Sequence, residues 1–463
     1  MMDTLTQALL AEIGQSFGHS ENAPAIPLTV SGEGSLNSAF PVSELATASL
    51  GAAGLACAQL LQQNQGGEPQ VLVDRRLASL WFGWTLRPLG WSLPAAWDAL
   101  AGDYATSDGW IRLHTNAPHH RKAVEQVLGP HQDKNALAQQ VLAWKKGELE
   151  LAVIEAGGCA AEMRSVEAWR QHIQGKSVAQ EPLCHQQQQA EAPTPGWVLP
   201  AARPLHGVRV LDLTRIIAGP VATRFLAGLG ADVLRIDPYG WDEPGVEHEV
   251  ILGKRCARLN LTNPHDRHTF EHLLKNADVL VHGYRAGALE KLGYGAEQRR
   301  TLSPGLIDVC LNAYGWSGPW RGRRGFDSLV QMSCGLAESG MQWKNAAIPV
   351  PLPVQALDHA TGYLMATAVL HGMRQRLRQG TGYSARLSLA RTAQLLFEHP
   401  YPQQHPLTPL AAATAADENP ETELTHWGAA QRLIAPLRLN GTALLWALPA
   451  TTLGSSQPQW LRR

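Results

Sequence analysis

Residues 208–237 read VRVLDLTRIIAGPVATRFLAGLGADVLRID, and they decide the fold. An apolar run at 208–213 predicts a strand. The turn DLTRIIAGP follows, and then an Ala/Leu-rich helix that ends at Gly230, a suitable residue for the left-handed position after a helix. DVLRID predicts the second strand. Strand, turn, helix and strand within so short a stretch make a βαβ unit. The pattern continues downstream. RCARLNL is a strand, PHDRHTFEHLLKNA is a helix with Pro264 in its first turn, and DVLVHGY is a strand. AGALEKLG is a short helix ending at Gly293, and LIDVCLNAYG is a further strand. This alternation predicts an α/β fold, a Rossmann-like parallel sheet with helices on both faces. Such sheets bind ligands beyond the carboxyl ends of their strands. The loops at 214–220, 283–287 and 313–327 are therefore predicted to line one crevice.

A dinucleotide site is the first function to weigh. Strand, glycine turn and helix, with Asp237 about 20 residues on, imitate the usual order. GxGxxG is absent, however, and Pro220 removes an N–H that a pyrophosphate would need. Asp237 reads better as a strand-end residue. Further downstream, IPVPLPVQAL is extended and Pro-broken, and it runs into LDHATGYLMATAVLHGM, a long helical pattern with Asp358 at its start. A carboxylate in that place can cap the helix. It can also face a cleft and act as a nucleophile, forming a mixed anhydride with an acyl group.

Upstream, 4–17 and 42–61 have helical spacing, and VLVDRRLASLWFGW reads as a short strand running into a helix. GDYATSDGWIRLHTN holds a turn at Ser107, Asp108 and Gly109, with a strand after it. Residues 41–82 repeat the order found at 353–397: extended entry, Ala-rich helix, glycine turn, short strand and Ala/Leu helix. This points to an old duplication rather than a repeat array. The first copy has no Asp at the place of Asp358, only Glu44 nearby. Residues 175–203 contain HQQQQAEAPTPGWVLPAAR, with no hydrophobic period, and are read as a linker.

Hydrophobic content of 44% and charged content of 17% describe a soluble globular chain, and 463 residues exceed one ordinary core. The net charge of −1, with no basic stripe, argues against nucleic acid as a partner. Six scattered cysteines without CxxC fit a reducing cytoplasm better than a zinc site or a disulfide framework. MMDTLTQALLAEIGQSF carries Asp3 and Glu12 and lacks a basic leader region. No apolar run approaches the roughly 18 residues needed to span a bilayer. Cys159 lies in a glycine turn without an evident His partner. His114, His119 and His120 in HTNAPHHR have the wrong spacing for a helical metal pair.

From 204 to 463 the chain resembles the class III CoA-transferases, of the formyl-CoA and carnitine-CoA transferase type and related to α-methylacyl-CoA racemase. The resemblance rests on PLHGVRVLDLTRIIAGPVATRFLAGLGADVLRID, KRCARLNLTNP, ADVLVHGYRAGALEKLGYG and LSPGLIDVCLNAYGWSGPWRGRRGFDSLVQMSCGLA. LDHATG, GTGYSARLSLARTAQLL, WGAAQRLIAPLRLNG and LGSSQPQW extend it. GDYATSDGWIRLHTN and GGCAAEMRSVEAWRQH are similar to the family's small domain, which here precedes the core. The resemblance implies that Asp358 is the nucleophile that takes the acyl group from an acyl-CoA thioester, with glycines near Gly362 giving close approach and oxyanion donation. It implies CoA contacts at Ile217, Ala218, Leu259, Thr262, Tyr284, Arg285, Lys291, Arg324 and Asp327. The basic residue that some members carry after the second strand is Pro238 here, and a Lys of some members is Thr262. Where the racemase branch has a His base, RRGFDS has Phe326, which cannot carry a proton.

The expected organisation follows. Residues 1–174 form a small α+β domain with a degenerate copy of the core's end, and 175–203 form a linker. Residues 204–400 form the CoA-binding catalytic core, and 401–463 return to it. The expected function is acyl-CoA:carboxylate CoA transfer through an aspartyl anhydride. A racemase-like enzyme and a non-catalytic CoA-binding fusion protein are the alternatives. No permanently bound cofactor or metal is expected; CoA and acyl-CoA enter as substrates. The partners are acyl-CoA and a carboxylic acid, without nucleic acid or membrane; the resemblance implies a homodimer, and the cysteine pattern points to the cytoplasm.

Overall fold

A computed structural model of the chain describes residues 2–18, 26–402 and 407–462. At its centre is a seven-stranded sheet. In chain order its strands are β1 (His185–Glu191), β2 (Arg209–Leu213), β3 (Asp232–Asp237), β4 (Arg255–Arg258), β5 (Val279–His282), β6 (Ile307–Asn312) and β7 (Thr381–Ser388). Their spatial order is β4-β3-β2-β5-β6-β7-β1. The first six are parallel neighbours, and β1 closes the edge antiparallel to β7. The strand order reverses beside β2, between β3 and β5, which opens a crevice at their carboxyl ends.

The edge strand corrects the linker reading of 175–203. His185–Glu191 pairs with Thr381–Arg386, and helix Ile173–Ala179 precedes it. β1 has mostly exposed side chains, so it carries no hydrophobic period; backbone pairing places it, joined by Gln189 Nε2 donating to Ser384 Oγ at 2.8 Å and Tyr383 Oη donating to Gln186 Oε1 at 2.8 Å.

Four helices position the site: α1 (Val42–Gln65), α2 (Ala218–Gly228), α3 (Asp327–Cys334) and α4 (Ala356–Gln379). α1 and α4 are buried along most of their length, and one apolar cluster joins them to α2 and the sheet. Each fully buried Leu or Ile there contributes about 1.5–3 kcal/mol. α1 has the length and hydropathy of a membrane span, contrary to the expectation of no such run, and 89% of its apolar window is buried inside the protein. Small residues let these helices approach closely. A Cβ on Gly362 of α4 would lie 2.5 Å from the carbonyl oxygen of Ala218 on α2.

The main cluster runs from Leu9 to Leu439, so it crosses the boundary expected near 174. A separate small core, built around Leu100, Ile111, Leu113 and Val124, lies under a three-stranded sheet. The C-terminal segment pairs with the N-terminal part: Leu437–Leu439 lies antiparallel to Val71–Asp74. It also reaches the central layer, where Trp446 Nε1 donates to the Arg224 carbonyl at 2.8 Å.

A buried ion cluster ties three distant segments together. Glu249 pairs with Arg224 and, at 3.4 Å, with Arg432, and it accepts from Thr85 Oγ1 at 2.6 Å. Burial alone would raise its pKa, but the two guanidiniums bring it down to about 2.

Candidate active site

The crevice begins with the loop after β2. Asp212, at the end of that strand, accepts from the backbone N–H of Thr214 at 2.8 Å and pairs with the buried Lys254 at 3.0 Å. Lys254 Nζ also donates to the Pro220 carbonyl at 3.0 Å, so one buried ion pair holds both ends of the loop. In its middle, Ile216 has φ of +66°. A β-branched residue is strained there by about 1–2 kcal/mol. Glu243 holds it in place, accepting from the Ile216 N–H at 2.9 Å while engaged by Arg235 and Trp241. Asp237 is taken up by Arg235 at 2.8 Å, in agreement with a strand-end role.

The three predicted loops do meet. Ile217, Ala218, Tyr284, Arg285, Arg324 and Asp358 line one cleft of about 340 Å³ at the carboxyl ends of β2, β5 and β6. Arg215, Arg321 and Arg323 also line it, which makes its mouth cationic. The guanidinium of Arg215 stacks between Trp241 at 4.4 Å and Tyr284 at 5.1 Å. Arg324 donates to the Gly157 carbonyl at 2.8 Å, linking the cleft to the small domain.

The other residues expected to contact CoA lie elsewhere. Leu259 is buried in the apolar cluster behind β3 and β4. Thr262 is exposed and donates to Asn260 Oδ1. Lys291 is exposed at the end of a short helix whose first residue, Ala288, does line the cleft. Asp327 is fully buried beneath Asp358.

Asp358 is the third residue of α4, and its side chain does not cap that helix. Asp327 does so instead, from the start of α3. Its Oδ2 accepts from the Asp358 N–H at 2.9 Å, and Gln331 donates to Oδ1. Gln331 in turn accepts from the Leu352 N–H at 2.7 Å. The Asp358 carboxyl receives no hydrogen bond from the described residues. Burial, and then the charge of Asp327, push its pKa well above the usual carboxylate range. Burial raises Asp327 as well, opposed by its hydrogen bonds from Gln331 and the α4 backbone. The proton that such a pair retains therefore rests on Asp358, the member without donors.

Beyond Asp358 lies a second chamber of about 260 Å³. Ile216, Ile217, Phe326 and Asp358 line both cavities and form the neck between them. Phe326 stacks flat on His114, with ring centroids 3.9 Å apart. The sequence suggests that the small domain contributes to the substrate pocket but names no residue there. Part of this chamber's wall comes from residues 82–116, far from the motif that carries Asp358, and the rest from 216–217, 246, 326, 328 and 353–359. The resemblance also implies that Gly362 serves the reacting carbonyl. Gly362 instead lies inside α4, where its N–H belongs to the helix and its lack of a side chain admits α2.

Comparison with known proteins bears on this geometry. Residues 205–427 match the model of CoA-transferase family III. An acyl-CoA transferase of Gibberella moniliformis is 30% identical over 311 residues, which cover 62% of this chain and 54% of that protein. A succinyl-CoA:glutarate CoA-transferase of Mus musculus is 33% identical over 193 residues, 39% of this chain and 44% of that one. A crystal structure of Rv3272 from M. tuberculosis aligns at 30% identity with a TM-score of 0.39, over 43% of this chain and 60% of that one. The chain spans about half the length of the curated relatives it matches.

Proposed function

We propose that this chain, whose residues 205–427 belong to CoA-transferase family III, transfers CoA from an acyl-CoA to a carboxylic acid through an acyl anhydride on Asp358. The carrying observation is the position of that carboxyl, uncapped and in the shared wall of a cationic cleft and an apolar chamber. Arg285, Arg321 and Arg324 suit the phosphates of CoA at the mouth, leaving the thioester to reach Asp358. The ionised Asp358 attacks the thioester carbon, the C–S bond breaks, and CoA leaves as its thiolate. An acceptor carboxylate then attacks the aspartyl anhydride, expelling the first acid and forming a new anhydride. The retained thiolate attacks the new acyl carbon, which restores the Asp358 carboxylate and yields the second thioester.

Ionisation of Asp358 is the costly step, since burial and Asp327 both oppose it. The end of α4 partly offsets this, because the first turn of a helix favours an anion. A racemase reading lacks its base, as Phe326 occupies that position and carries no proton. The same proposal includes a homodimer, checked by sedimentation. It also includes a cytoplasmic setting, supported by six cysteines that are all free and buried.

The test is mass spectrometry of the protein incubated with acyl-CoAs and quenched with hydroxylamine. Asp358 is expected as the modified residue. Modification elsewhere, or α-proton exchange with solvent without CoA transfer, overturns the proposal.

A further inference from the structure

The two cavities that meet at Asp358 differ sharply in charge. Five arginines, Arg215, Arg285, Arg321, Arg323 and Arg324, line the cleft. Among the described residues lining the chamber there is no Arg or Lys, and the one acidic group is Asp358 itself. Phe82, Trp84, Trp97 and Phe326 give it aromatic walls, and Val246 and Val354 complete them.

Its polar lining groups do not alter that balance. His114 and His359 are buried and held neutral, burial being the main cause that brings each pKa down to about 3. His359 stacks on Phe82 at 5.2 Å, much as His114 stacks on Phe326. Both rings therefore form neutral walls, each with a buried Nδ1 that has no hydrogen-bond partner among the described residues. The Asn116 amide is engaged by the backbone of Ala96 and Asp98. Ser328 Oγ is buried without a partner and offers one neutral hydrogen bond. Two cations lie behind the wall and both are paired: Arg112 sits over the Trp97 ring at 4.8 Å and pairs with Asp103 at 2.8 Å, and Arg224, whose charge is felt at His359, pairs with Glu249.

We infer that the acyl group this chamber accepts is uncharged and apolar, derived from an aromatic or branched aliphatic monocarboxylic acid rather than a dicarboxylic one. This rests on the transferase reading above. A second carboxylate on the acyl group would enter the chamber without a cation to pair with, and it would lose its hydration there. It would also face the charge of the Asp327–Asp358 pair. An aromatic or branched chain covers the ring walls and buries its own surface.

The experiment compares benzoyl-CoA and isobutyryl-CoA with succinyl-CoA, both for labelling of Asp358 and for CoA transfer to the matching free acids. The apolar substrates are expected to exceed succinyl-CoA at least 100-fold in kcat/KM. Gln355→Arg places a cation on the chamber wall at the entry to α4, and it is expected to raise the relative use of succinyl-CoA at least tenfold. Equal or better use of succinyl-CoA by the unaltered protein, with Asp358 still labelled, overturns this inference alone. Absence of labelling by every acyl-CoA overturns the transferase reading and this inference with it. The panel on the unaltered protein decides without the variant.

Discussion

Glu44 and Asp358 hold the same place in two helices of one chain: each is the third residue of a 24-residue helix. The residues that enter those helices have nearly the same backbone angles, φ −74° and ψ 66° at Pro41 and φ −76° and ψ 66° at Gln355. Neither entry residue caps its own helix with its side chain. The environments differ completely. Glu44 is paired with Arg75 at 2.6 Å and accepts from Tyr401 Oη at 3.0 Å, whereas Asp358 has no donor and faces two cavities.

Neutralising each carboxylate therefore has opposite consequences. Asp358→Asn is expected to abolish hydroxylamine-trapped acyl-enzyme while leaving the thermal midpoint unchanged or higher, because it removes a buried group that gains nothing from ionising. Glu44→Gln is expected to keep the trapped adduct and lose about 3 kcal/mol of stability, the scale for breaking a buried ion pair. Trapping assays and denaturant unfolding separate the two.

The pH dependence of acylation follows from the Asp327–Asp358 pair. Only ionised Asp358 attacks, and burial together with Asp327 raises its pKa. Acylation should thus climb with pH above the ordinary carboxylate range. Asp327→Asn removes the neighbouring negative charge, so Asp358 ionises more readily and the rising limb moves to lower pH. The asparagine carbonyl can still accept from the α4 backbone. A variant that merely loosened the site would lower the amplitude and leave the limb in place.

The cationic mouth should govern substrate capture more than chemistry. Arg285→Ala and Arg324→Ala are each expected to raise KM for acyl-CoA about tenfold, equivalent to ~1.4 kcal/mol, with a smaller change in kcat. Removing both should also flatten the dependence of kcat/KM on ionic strength. Steady-state kinetics at two salt concentrations tests this.

Gly362 provides a packing test. A methyl group there would lie 2.5 Å from the Ala218 carbonyl oxygen and 2.8 Å from Val221 Cβ. Gly362→Ala should cost about 1–3 kcal/mol by overpacking. Displacement of α2 should also disturb the loop that carries Ile217. A lower unfolding midpoint in guanidinium, larger than any change in the pH limb, is the expected result.

Much of the core was legible in the amino-acid order. Strand–helix alternation from 208 to 312 marked β2 to β6 and their helices, because the two periods and the glycine and proline boundaries are local properties of the backbone. The meeting of three loops followed from the parallel order, since all strands present the same end. The motifs around Asp358 singled out that residue, though not whether it caps its helix or faces a cleft.

What remained hidden depends on contacts between distant segments. The glutamine-rich β1 is held by backbone pairing to β7 across almost 200 positions of sequence, with no side-chain pattern to announce it. Asp327, buried 31 residues before Asp358, takes the helix cap and leaves the later carboxyl free. Phe82 reaches the chamber from the apolar cluster that joins α1 and α4, whereas Trp97 and His114 come to it from the small domain, His114 stacked on Phe326. Local propensity is read along the chain, but the neighbours that set a carboxyl's charge and its pocket's polarity are chosen by packing.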